Sequence, residues 1–174
     1  MDREHSSSLW PGAFASFLLA LAAACASSTG PGPAGALIAR TNCKDAGRPA
    51  SGAAGTAPTS SQECVEYEYD GRSVLRLKHV NAGFNCCPGT ISADIQVERG
   101  AVRVRESESS SLCDCSCLYD LDYEFTGVAP GYWRIEVVGP YQPEGDPPLE
   151  FVLVLDGASS GSHCVARTRY PWGY

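Results

Sequence analysis

From residue 65 onward, apolar and polar side chains alternate with a period of two, the spacing of a strand buried on one face. VEYEY (65–69) sets Val65, Tyr67 and Tyr69 against Glu66 and Glu68. After the turn residues Asp70 and Gly71, SVLRLKHV (73–80) places Leu75, Leu77 and His79 on one side. ISADIQV (91–97) sends Ile91, Ala93, Ile95 and Val97 inward. The short link at 98–100 into AVRVRE (101–106) predicts a hairpin. YWRIEVV (132–138) turns Trp133, Ile135 and Val137 inward, whereas the more continuous EFVLVLD (150–156) predicts cover on both faces.

The longest alternation is CDCSCLYDLDYEF (113–125). Cys113, Cys115, Cys117, Tyr119, Leu121, Tyr123 and Phe125 share one face. Asp114, Ser116, Asp120, Asp122 and Glu124 share the other, with Leu118 as the exception. This predicts one strand with all three cysteines on its inward face. About seven such strands, separated by Gly, Pro and Asp turns and without an amphipathic helix, predict an all-β fold, a small antiparallel β-sandwich. GVAPGYWRIEVV is similar to a turn-strand pattern of immunoglobulin-like and transthyretin-like modules in bacterial surface proteins.

The first 62 residues have a different texture. The apolar run at 13–24 is too short to cross a hydrocarbon core of about 30 Å and suits the centre of a signal peptide spanning 1–24. ASSTGPGPAGA (26–36) and AGRPASGAAGTAPTSSQ (46–62) read as flexible tether, so 25–62 is expected to lie outside the core. Cys43, between them, is placed to tie this arm to the body. The expected sandwich spans 63–165 and leaves a tail, 166–174, bearing Tyr170, Trp172 and Tyr174.

Charge narrows the partners. The 20 acidic residues outnumber the 13 scattered basic ones, which argues against nucleic acid, since phosphate binding needs a basic face. LALAAAC resembles the lipobox of bacterial lipoproteins, in which the cysteine is acylated and opens the mature chain. The resemblance implies lipidation of Cys25, export and a membrane anchor. Ala26 in place of Asp implies the outer membrane or cell surface.

Export brings an oxidising compartment, where disulfides are the default. With Cys25 lipidated, Cys43, Cys64, Cys86, Cys87, Cys113, Cys115, Cys117 and Cys164 remain, an even number. Residues i and i+2 of a strand sit about 6.6 Å apart with parallel side chains, so 113, 115 and 117 should each pair elsewhere. Cys86 and Cys87 should not close on each other. These rules discard roughly half of the 105 pairings open to eight cysteines. The other reading is a thiolate site for Cu or Zn built from His79, Cys86, Cys87, Cys113, Cys115 and Cys117. The usual C-x2-C zinc knuckle is absent from the sequence.

FNCCPG (84–89), CDCSCLYDLDY (113–123) and ECVEYEYDG (63–71) together resemble an uncharacterised cysteine-rich domain of exported bacterial proteins, which implies a domain but no activity. H-E-x-x-H and P-loop motifs are lacking. The expected role is non-catalytic: a lipid-anchored structural or interaction module of the cell envelope with no cofactor.

Overall fold

The computed structural model of the chain describes residues 32–44, 58–168 and 171. The expected signal segment 1–24, Cys25, and the aromatic tail residues Tyr170, Trp172 and Tyr174 lie outside the described residues.

Among the described residues, nine strands build two sheets: β1 Ala34–Arg40, β2 Gln62–Asp70, β3 Val74–Asn85, β4 Ile91–Glu98, β5 Ala101–Glu108, β6 Ser116–Thr126, β7 Gly131–Val138, β8 Leu149–Leu155 and β9 Ala158–Ala166. One sheet runs β1-β6-β3-β2-β9 and the other β4-β5-β7-β8. The expected all-β sandwich is present, and the alternation named its core. Val65, Tyr69, Leu75, Leu77, Tyr119, Leu121, Tyr123 and Phe125 from the first sheet are buried against Val102, Val104, Trp133, Ile135 and Val137 of the second.

Turn chemistry fixes the hairpins. Asp70 Oδ1 accepts the backbone N–H groups of Arg72, Ser73 and Val74 at 2.8–3.0 Å, closing the β2–β3 turn. The bonds from Val74 and Arg72 hold its carboxyl below the usual value. Gly71 adopts φ +80° in that turn, and a Cβ there would sit 2.7 Å from the Ala158 nitrogen. Gly100 (φ 76°) turns the β4–β5 hairpin, which pairs Ile91 with Glu108 through Glu98 with Ala101.

Five features differ from the sequence reading. First, β5 and β7 pair in parallel, Val102 opposite Ile135 and Val104 opposite Val137. Between them the chain crosses to β6 in the other sheet and returns, and two reversals restore the original direction. Second, the sandwich begins before residue 63, because Ala34–Arg40 of the expected tether pairs with β6 as an edge strand. Gly35 permits this approach, since a Cβ there would lie 2.5 Å from the Phe125 ring.

Third, β9 extends the sheet along the whole of β2 from Gln62↔Ala166 to Asp70↔Ala158, although ASSGSH carries no apolar alternation. Fourth, EFVLVLD is not covered on both faces: β8 ends its sheet, and Val152 and Val154 are 62% and 54% exposed. Fifth, regular β6 starts at Ser116, so only Cys117 joins the core; Cys113 is half-buried and Cys115 exposed in the loop before it.

Candidate functional site

The buried centre is polar. Glu63, His79 and Glu106 follow the inward parity of β2, β3 and β5, so the same alternation that builds the core delivers two carboxyl groups and an imidazole into it. His79 Nε2 bonds Glu63 Oε1 at 2.8 Å and Nδ1 bonds Glu106 Oε1 at 2.7 Å. Tyr123 donates its hydroxyl to the same Glu106 oxygen at 2.7 Å. The Arg167 guanidinium grips Glu63 Oε2 with two nitrogens and is itself buried.

Two carboxylates are thus balanced by two cations. Burial alone would depress the His79 pKa, but the charge and hydrogen bond of Glu106, then those of Glu63, raise it to about 10. Burial works the other way on Glu63, where His79 and Arg167 overcome it and hold the acid below its usual value. Burial, reinforced by Glu106, pushes the Tyr123 hydroxyl up. Glu106 Oε2 is buried without a hydrogen bond, 3.7 Å from where a Cβ on Gly139 would stand.

Sequence reasoning placed His79 inward but offered it to a metal. Both of its ring nitrogens are engaged by carboxylates, so the imidazole has no free lone pair for a metal ion. Arg167 was assigned to the tail, yet it closes the network. Glu63 and Glu106 carried the signal of their parity with Val65 and Val104.

A second polar cluster sits where β3 bulges between His79 and Ala82, two residues opposing one on β6. Asn81 adopts φ 65° there, and its amide donates to the carbonyls of Thr59 and Gln62 at 3.0 and 2.9 Å. Lys44 pairs with Asp120 and reaches Asn81 Oδ1. This holds the arm at residues 41–44 against β6, where Cys43 bonds Cys117 as a tie to the body.

All eight described cysteines form disulfides: Cys43–Cys117, Cys64–Cys164, Cys86–Cys115 and Cys87–Cys113. Each member of the 113/115/117 set pairs elsewhere and 86 does not close on 87, as expected, although only Cys117 lies on the strand from which that was argued. Cys64 and Cys164 are direct cross-strand neighbours, their Cα atoms 4.0 Å apart. Such staples fit an exported or extracellular protein.

The pairs 86–115 and 87–113 meet at one end of the sandwich, where the sulfurs of Cys86, Cys113 and Cys115 lie within 4.8 Å of one another. Asn85 organises the two loops. Its Oδ1 accepts the Cys87 N–H at 2.8 Å, and its Nδ2 donates to the Cys113 carbonyl at 2.6 Å. The Cys86 N–H donates to the Cys115 carbonyl at 3.1 Å.

Two outer faces complete the inventory. On the five-stranded sheet, Glu66, Lys78 and Asp122 form one cross-strand row and Glu68, Arg76 and Glu124 the next, and all of these but Glu124 line an open groove of about 770 Å³. On the inner side, His163 of β9 pairs across from buried Val65 and stacks on Phe151 of β8 with centroids 4.7 Å apart. On the four-stranded sheet, Tyr132 is 74% exposed directly opposite Val154, with Val152 beside them on β8. Comparison with family models, curated proteins and solved structures gives no match to this chain.

Proposed function

We propose that the chain is an exported cell-envelope lipoprotein, held at the outer membrane or cell surface through Cys25, whose sandwich is a non-catalytic interaction module. The four disulfides support export, and LALAAAC supplies the anchor. The groups that could carry acid–base chemistry are engaged with one another inside the fold: His79 with two carboxylates, Glu63 with Arg167, Tyr123 with Glu106.

One observation carries the interaction reading. Val152 and Val154 on β8, the outermost strand of the four-stranded sheet, form an exposed apolar patch with Tyr132 on the neighbouring β7. An edge strand with apolar residues at i and i+2 is a template for strand addition, and natural proteins usually blunt such edges with charge. The occupant is an extended segment of another protein, pairing along β8 and packing its side chains on Tyr132 and Val154.

A photo-cross-linking amino acid in place of Tyr132, in intact cells, tests this. The expected result is an adduct with a second protein, lost when Val154→Asp is added; no adduct, or only a dimer of the chain itself, contradicts it. An alkyne-tagged fatty acid tests the anchor: Cys25→Ser should abolish labelling and release the protein from membranes.

A further inference from the structure

We propose that the double-disulfide end of the sandwich is a reducible site for a thiophilic d10 cation. When a dithiol opens Cys86–Cys115 and Cys87–Cys113, the thiolates of Cys86, Cys113 and Cys115 take Cu(I) in a three-sulfur site. This stands apart from the interaction reading and from the β8 face.

The first support is position. Three sulfurs already lie within 4.8 Å of one another, although they belong to two different disulfides. Three converging soft donors are the set a monovalent copper ion selects, and Cys87, bonded to Cys113, stands next to them.

The second support is that hydrogen bonds hold the loops without help from sulfur. Asn85 is 1% exposed and clamps both, accepting from the Cys87 nitrogen and donating to the Cys113 carbonyl. Ser110 donates its hydroxyl to the Cys87 carbonyl at 3.0 Å, and Cys86 N–H reaches the Cys115 carbonyl. Reduction therefore leaves the donors close together, with part of the ordering cost of a metal site already met by the fold.

The third support is selectivity. Neither disulfide at this end has a buried member: Cys86 and Cys113 are half-buried and Cys87 and Cys115 exposed. The other two each have one, Cys64 at 0% and Cys117 at 8% exposure. Sequence separations of 29 and 26 residues here, against 74 and 100 elsewhere, mean that opening this end releases the smaller chain constraints.

The chemistry balances simply. Each disulfide accepts two electrons and two protons from one dithiol, which leaves as its own disulfide, so two dithiols yield four thiols. Binding Cu(I) by three of them releases three protons as the thiolates form.

The test uses the folded chain, treated anaerobically with a limiting dithiol and then titrated with Cu(I) held by a competing chromophoric chelator. Alkylation mapping and near-ultraviolet circular dichroism follow which disulfides open and whether packing survives. The expected result is one Cu(I) per reduced chain, none in the untouched oxidised chain, and intact aromatic dichroism. Cys113→Ser/Cys115→Ser should weaken binding by about 100-fold or more. Cys43→Ser/Cys117→Ser should leave Cu(I) affinity unchanged. Three results would overturn the proposal: no copper on the reduced chain, equal copper on the Cys113→Ser/Cys115→Ser variant, or first opening of Cys64–Cys164 with loss of packing.

Discussion

The buried histidine makes stability depend on pH in a direction that can be worked out. His79 in the unfolded chain titrates near 6.5, and between its two glutamates its pKa is raised to about 10. Between these values the folded protein binds one proton more than the unfolded one. Unfolding free energy must then fall with rising pH, by at most about 1.4 kcal/mol per unit. The contribution is fully present below pH 6.5, declines above it and is gone once pH passes the folded value.

From pH 7 to pH 9 the loss amounts to about 2.5 kcal/mol, large against a total of about 5–15 kcal/mol for a domain. Urea unfolding of the oxidised protein at fixed ionic strength, repeated at half-unit steps, measures it directly. A His79→Gln variant, less stable by about 3–5 kcal/mol because it strands buried carboxylates, should lose this slope. A wild-type profile that stays flat from pH 7 to pH 9, or a slope that survives in His79→Gln, would refute the assignment of a charged histidine to the core.

Other expectations follow from the same contacts. Glu63 is held below its usual value, so its share of stability is present above about pH 4.5 and disappears as pH falls through the folded pKa, visible as acid sensitivity in the same titration. Arg167→Met removes the partner of a buried carboxylate and should cost about 3–5 kcal/mol by chemical denaturation, far above the effect expected for a tail residue. Breaking Cys64–Cys164, which closes 100 residues, should cost about 4–5 kcal/mol, and breaking Cys87–Cys113, which closes 26, about 1 kcal/mol less. Gly161→Val should lower the melting temperature, because a Cβ there lies 2.9 Å from the Tyr67 ring and overpacking costs about 1–3 kcal/mol.

Much of the sandwich was legible because burial on one face writes itself as period two. Tyr119, Leu121, Tyr123 and Phe125 came out inward on that signal alone. The expectation that 113, 115 and 117 bond other segments agrees with the pairs found, but its strand argument applies to Cys117 alone. What stayed hidden was held by neighbours rather than by local pattern. β9 is a run of small and polar residues that becomes a strand by pairing with β2 and by its bond from Cys164 to Cys64. β1 looks like a linker because glycine and alanine suit its close approach to Phe125.

The parallel β5–β7 pair could not be read, because period two carries no strand direction. Parity also overreached at Cys113 and Cys115, where alternation continued past the end of regular pairing. The core network was half visible: inward parity at Glu63 and Glu106 was available, but the pattern reading treated glutamate as outward by default. Arg167 gave no signal, since its burial depends on a strand the sequence did not announce.

The central claim is an exported sandwich locked by four specific disulfides. Non-reducing peptide mapping by mass spectrometry, with alkylation of free thiols in protein recovered from the cell envelope, tests it most directly. The account predicts the linked pairs 43–117, 64–164, 86–115 and 87–113, with no alkylated cysteine among the eight. Free thiols at three or more of these positions, or Cys64 joined to anything but Cys164, would contradict it.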